Sequence, residues 1–482
     1  MSVRKNLVYY IINNISAVIF PFITVPYVSR VLGIENIGIV SFATTYAQYF
    51  ALVATLGIPL YGIKEIAKLK DKQQERNKLF SELFSLNLIS GAICSLLYTT
   101  SIYLIPELYK EKEFLLVAGT MVYLSAFSFD WFFNGRENFK MITIRSVIIK
   151  ALSILLLFLV VKKEQDAIYY CAISALAIVL NNLWNFFYII RNEVHISFYG
   201  LSYRPHIRPL FLLLATNVAV SIYTILDTIM LGFMSDYTEV GYYNSAIKIT
   251  RLLLPFAIAT TYVLIPKISY AYSRNDKLSC LHYLQRSFNL ITLFATPISI
   301  GLIIIAPSFV PLFFGPEFGG TILPMQLLST IILLVGLSNF FGLQILVSFG
   351  HEKKQFLCII SGTIVNVVIN LIMIPRFGAN GASIASVVAE LLIVLASITT
   401  VYRYLHLKIK FTPLLQAAIS CLPMILLSLL LPEMNNLRTI MILISFGSIS
   451  YFLIQLILFK NEDTNEIFNK IRNLLKYNTK WI

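Results

Sequence analysis

SFNLITLFATPISIGLIIIAPSFVPLF, residues Ser287–Phe313, runs for 27 residues without one charged side chain. As a helix it rises about 40 Å at 1.5 Å per residue, enough to cross the ~30 Å hydrocarbon core of a bilayer. A backbone in lipid must satisfy its own hydrogen bonds, which leaves helices or a closed barrel. Barrel strands are short and alternate in polarity, and this run does neither. The rest of the chain obeys the same rule. Of its 482 residues, 57% are hydrophobic and 13% charged, whereas soluble domains carry roughly 25% charged residues. Apolar runs set against charged breaks predict fourteen crossings. They fall at 7–31, 37–61, 79–105, 114–133, 141–161, 168–190, 210–234, 244–266, 287–313, 321–348, 356–374, 382–402, 413–431 and 438–459. The basic start, Met1 to Lys5, precedes a run of full crossing length without an A-x-A site. That pattern predicts a retained first helix.

Basic residues orient the chain. With the N-terminus in the cytoplasm, 28 of the 38 Lys and Arg fall in cytoplasmic loops, termini or the helix ends beside them, and seven in outside loops or the helix ends beside them. The other three, Lys150, Lys248 and Arg251, fall deeper inside predicted helices. Such a bias sets topology and accounts for the net charge of +14 without a nucleic-acid partner. Outside loops such as Ser235–Tyr243 and Phe314–Gly320 are too short to hold a catalytic domain. Five cysteines lie scattered without CxxC spacing, the pattern of small buried hydrophobes. All five histidines fall in cytoplasmic loops and read as solvated. In the tail, Ile467, Phe468, Ile471, Leu474 and Leu475 share one helical face beside Lys470, Arg472 and Lys476. That suits either a helix on the anionic inner surface or a solvated tail.

An offset of 203 residues matches Asn14 with Asn217, Gly38 with Gly241, Ala43 with Ala246 and Lys64 with Lys267. An offset of 215 matches Gly135 with Gly350, Glu137 with Glu352 and Ser146 with Ser361. Six crossings separate equivalent positions, so the halves share orientation and are related by an axis along the membrane normal. The expected architecture is an all-α polytopic membrane protein with about 14 transmembrane helices. Two six-helix lobes, 1–205 and 206–412, are followed by 413–482, which holds two extra C-terminal helices and a basic tail.

Several stretches resemble the polysaccharide flippases of the Wzx type, within the superfamily of multidrug, oligosaccharidyl-lipid and polysaccharide exporters. They are PYVSRVLGIENIGIVSFATTYAQYFALVATLGIPLYGIKEIAK (Pro26 to Lys68), DWFFNGRENFK (Asp130 to Lys140) and LDTIMLGFMSDYTEVGYYNSAIKI (Leu226 to Ile249). LFFGPEF (Leu312 to Phe318) and IPRFGANGASIASVVAE (Ile374 to Glu390) complete the set. The resemblance implies a V-shaped pair of lobes in the bacterial cytoplasmic (inner) membrane, with both termini cytoplasmic. The implied activity is passage of an undecaprenyl-pyrophosphate-linked oligosaccharide, an O-antigen, lipopolysaccharide or capsule repeat unit, from inner to outer leaflet by alternating access. A polysaccharide polymerase and chain-length proteins are the implied partners. No G-x-x-x-x-G-K-[ST] phosphate loop is present, and no cofactor is expected.

An ionisable group at mid-bilayer costs at least about 2.5–3.5 kcal/mol, so each such residue faces a cavity or a partner. A pyrophosphate headgroup needs cations to replace its water. Lys150, Arg30, Lys248 and Arg251 are therefore the substrate-binding candidates. Snorkelling to the outer interface is the alternative for Arg30, and pairing with Asp227 the alternative for Lys248 or Arg251. Asp227 and Glu390 are the candidates for ion coupling or pairing, with protons or sodium as the coupling ion. Two other functions fit a polytopic chain: a drug or cation antiporter, which would favour an acidic lumen, and a membrane polymerase or glycosyltransferase. The latter would need a larger outside loop.

Overall fold

A computed structural model describes residues 3–69, 71–431, 437–461 and 463–466, and these form helices and short connections without a strand. The amphipathic tail reading, residues 467–475, lies outside the described residues. Among the described residues nine helices are long and apolar enough to cross a membrane, or ten counting the bent pair Tyr237–Ile258 and Val263–Ser273.

Two glycines account for part of the difference between the nine or ten membrane-length helices among the described residues and the fourteen predicted crossings. Helix α1 (Val3–Ala54) holds the first two crossings, and Gly33 breaks it with φ 74 and ψ 173. Helix α13 (Glu352–Leu405) would be about 80 Å long if straight. Gly378, φ 50 and ψ −127, folds it so that Gly362 in one half faces Ile393 in the other. Only glycine enters positive φ without a Cβ penalty. The loops expected at 32–36 and near 375–381 are thus single-residue breaks.

Elsewhere the helices follow the apolar runs. Helices α2 (Ile58–Lys68) and α3 (Gln73–Leu104) come next. After the short α4 (Pro106–Lys110), the fourth predicted crossing, 114–133, is divided between α5 (Lys112–Tyr123) and α6 (Asp130–Gly135). Then follow α7 (Phe139–Val160), α8 (Ala167–Asn192), α9 (Arg204–Met234), α10 (Tyr237–Ser273) and α11 (Lys277–Phe313). Helix α12 (Ile322–Ser338) runs into a π-helical segment, Asn339–Val347. Helices α14 (Thr412–Ser420) and α15 (Leu422–Leu430) divide at Cys421, where Pro423 starts the second, and α16 (Leu437–Ile457) follows. Outward faces are apolar: Leu96, Leu97 and Leu104 on α3, and Leu152, Leu155 and Leu159 on α7, are all exposed. Surface of that kind belongs in lipid.

The chain divides into two compact units, Met1–Gly241 and Tyr242–Ile482. The crossings alone put the division at 205/206. Helix α9 joins the first unit because its start is fastened there. A side chain at Gly57 would strike the backbone of Leu210 and Leu214, and Gly57 itself has φ 75. His206 is buried, contrary to the solvated reading. Its Nε2 meets Glu82 Oε2 at 2.9 Å and its Nδ1 meets Tyr61 Oη at 2.8 Å. The first unit's aromatic core gathers Phe80, Phe84, Phe129, Trp131, Phe132 and Phe133. In the second unit α14–α16 pack on α11 through Leu293, Cys421, Met424 and Tyr451, with Tyr451 Oη donating to the Leu293 carbonyl at 2.8 Å. All five cysteines are free and buried.

Two residues matched by the 203-residue offset, Gly38 and Gly241, sit at close backbone approaches. A Cβ on Gly38 would collide with the Tyr237 carbonyl, and a Cβ on Gly241 would collide with the Ile34 carbonyl. Ile34 and Tyr237 are themselves 203 apart, as are Gly38 and Gly241. The partner of each glycine is therefore 203 positions from the partner of the other, so the two contacts are reciprocal. Both glycines are needed because two backbones come into contact there.

Candidate functional site

Cations inside the first unit fall into two kinds. Arg145 on α7 is 2% exposed and fully engaged. Its Nε donates to Asn181 Oδ1 at 2.8 Å, one terminal nitrogen donates to Asn185 Oδ1, and the other to Asp130 Oδ1 at 2.8 Å. Asn185 Nδ2 also donates to Asp130 Oδ1 at 2.7 Å. A planar guanidinium supplies these donors in one fork, and the carboxylate balances its charge. This cluster ties α6, α7 and α8 together. Asn181 and Asn185, four apart on α8, carried the sequence signal for it, which the charge-based reading passed over.

Lys150 lies five residues farther along α7 and is half-buried. Its Nζ donates to Ser16 Oγ at 3.0 Å and sits 6.0 Å from the Phe20 ring centroid, both on α1. Among the described residues no carboxylate forms an ion pair with it. A hydroxyl hydrates an ammonium but does not neutralise it. Arg30, also on α1, is exposed. Asp227 on α9 is buried in the first unit, whereas half-buried Lys248 and exposed Arg251 on α10 belong to the second.

The second unit has a buried polar interior. Ser287 Oγ donates to Gln344 Oε1 at 2.7 Å, and Gln344 Nε2 donates to the Thr261 carbonyl at 2.8 Å. Gln344 lies in the π-helical segment, a local widening often found at functional positions. Tyr243 Oη and Ser386 Oγ are 3.2 Å apart, and Ser397 Oγ donates to Gln355 Oε1 at 3.3 Å. Glu390 is 2% exposed, and its Oε2 has no hydrogen-bond partner. Asn366, in the opposing half of α13, is fully buried and its Nδ2 is likewise unpartnered. A buried carboxylate stays ionised only with a cation or several donors beside it. This carboxylate therefore has capacity for a proton or a cation. Asn370 Nδ2 donates to Asn366 Oδ1 at 3.2 Å, a buried amide pair whose four-residue spacing was the missed signal. Among the described residues no three His, Cys, Asp or Glu side chains gather to hold a metal ion.

Comparison with known proteins now adds to this geometry. Residues 3–272 match a family described as polysaccharide biosynthesis protein, more than half of the chain. A protein of Escherichia coli (strain K12) named "Putative O-antigen transporter" is 24% identical over 408 residues, covering 82% of this chain and 95% of that protein. Among solved structures, "Lipid II flippase MurJ, inward closed conformation" aligns with a TM-score of 0.76 at 17% identity. It covers 94% of this chain and 99% of the other. An inward-facing multidrug resistance MATE family transporter aligns with a TM-score of 0.60 at 17% identity, covering 84% and 96%. At such identities the likeness is one of fold, and it is shared by a flippase and a drug exporter alike.

Proposed function

The chain belongs to the polysaccharide biosynthesis protein family, and from that premise we propose that it is a flippase for a lipid-linked oligosaccharide. The cargo is an undecaprenyl-pyrophosphate-linked repeat unit of O-antigen or capsule. It moves from the inner to the outer leaflet by alternating access, without covalent chemistry, and is handed to a polymerase and chain-length proteins. The observation that carries this reading is Lys150: a half-buried ammonium in a membrane helix, solvated by Ser16 and unopposed by a carboxylate among the described residues. Such a charge favours an anionic headgroup that has shed its water. Similarity to the O-antigen transporter along nearly its whole length supports the same cargo class. Arg145, already balanced by Asp130, is a structural cation in this scheme.

Glu390 is the proposed coupling group, taking up a proton or a sodium ion in one state and losing it in another. A buried carboxylate of this kind also suits a drug or cation antiporter, which is the second reading. One experiment separates them. In a strain lacking this gene, the flippase reading expects loss of surface polysaccharide and accumulation of sugar-loaded lipid carrier on the cytoplasmic leaflet. Normal surface polysaccharide with increased drug sensitivity would favour the antiporter instead.

A further inference from the structure

The second unit holds a cavity of about 580 Å³ that the transport reading does not use. It lies where α10 ends, α11 begins, the π-helical segment leads into α13, and α13 ends. Four helix ends meeting at one place mark a membrane surface rather than its depth. Tyr272 and Phe349 line it as a face-to-face aromatic stack, with ring centroids 3.8 Å apart and planes 4° from parallel, and form one side of an apolar wall. Leu281 and Leu405 continue it. Lys277, His406 and Lys408 line the same space and are exposed to whatever enters. Beside them, Lys354 Nζ lies 3.0 Å from the Tyr404 ring centroid and the Arg403 guanidinium carbon 5.9 Å from it, adding further positive charge. One carboxylate also lines the cavity. Asp276 caps α11, accepting from the Ser279 backbone N–H at 3.1 Å.

We propose that this cavity binds the phosphate headgroup of an anionic phospholipid from the cytoplasmic leaflet, with Lys277 and Lys408 as its phosphate ligands. Basic pockets between helix ends on that side recruit anionic lipid headgroups. The aromatic and leucine wall receives the glycerol and first acyl methylenes, surface that a free phosphate would leave empty. The cavity is far larger than one phosphate. The inference rests on the orientation assigned from basic residues and is independent of the cargo.

The test is native mass spectrometry of the delipidated full-length protein, titrated with phosphatidylglycerol, phosphatidylcholine or inorganic phosphate. The parent retains phosphatidylglycerol and retains phosphatidylcholine no better than background. The K277Q/K408Q variant binds phosphatidylglycerol about thirtyfold more weakly, the combined effect of two surface cations. A K78Q/K140Q control, which removes two exposed lysines elsewhere on the same side, leaves retention unchanged. Thermal melting without lipid checks that the variant is folded. If the double variant melts early, K408Q alone carries the test, with about a fivefold loss. Equal retention by parent and variant overturns the proposal, as does equal retention of the two lipids. Displacement of the lipid by millimolar inorganic phosphate also overturns it, since the site would then serve a free anion.

Discussion

Replacing Gly38 with alanine tests the close approach of α1 to the start of α10. The added methyl points at the Tyr237 carbonyl, a backbone group that cannot swing aside as a side-chain tip can. Forcing a methyl into packed backbone costs about 3 kcal/mol, the upper end for overpacking. Alanine recovers about 1 kcal/mol of helix propensity relative to glycine. The net expectation is a loss of about 2 kcal/mol. Gly241→Ala meets the Ile34 carbonyl in the same way and should lose a similar amount. The two changes act on one contact, so the double variant should lose about 3 kcal/mol rather than about 4. Gly319→Ala is the control, because nothing lies within 4 Å of where its Cβ would stand. Reversible unfolding of the purified protein by SDS titration in mixed micelles measures all four. The reasoning fails if Gly38→Ala is no more destabilising than Gly319→Ala, or if the Gly38 and Gly241 effects simply add.

Three further outcomes are expected. Asp130→Ala leaves the Arg145 guanidinium buried beside two asparagines, with no carboxylate, and should destabilise by about 2–3 kcal/mol; the half-exposed carboxylate keeps this below the 3–5 of a fully buried pair. The same SDS titration reads it, and adding Arg145→Leu should recover part of the loss. Lys150→Met keeps length and apolar bulk but removes the charge, so surface polysaccharide should fall while protein level and unfolding stay unchanged, and Lys150→Arg should retain partial export. Glu390→Gln keeps the shape but cannot exchange a proton or hold a cation, so transport should become insensitive to collapsing the proton and sodium gradients. Continued sensitivity in that variant would remove Glu390 from coupling.

The helices were legible because lipid imposes one requirement on every crossing, an apolar run of sufficient length, and Ser287–Phe313 meets it openly. The turns at Gly33 and Gly378 were not. A single glycine in an apolar stretch gives no sign of whether its φ is negative or positive, so short loops were expected where one residue suffices. Lys150 was legible as a cation among apolar residues, without neighbours that could mask it. His206 was misread because its partners, Glu82 and Tyr61, lie more than 120 positions away in sequence. The Arg145 cluster was hidden for a related reason. Its acid, Asp130, lies 15 residues before it and its amides 36 and 40 after it, and only folding brings them together. Of the residues matched by the 203-residue offset, Gly38 and Gly241 each face backbone where a Cβ would stand, a steric requirement that chance matches between apolar residues lack.

The most direct measurement reconstitutes the purified protein into vesicles whose bilayer carries an undecaprenyl-pyrophosphate-linked oligosaccharide. A membrane-impermeant glycosidase added outside then reports how much sugar reaches the outer leaflet. The account predicts that protein-containing vesicles expose sugar initially confined to the inner leaflet, and that Lys150→Met slows this exposure. Protection identical to that in protein-free vesicles, under an imposed proton or sodium gradient of either sign, would contradict it.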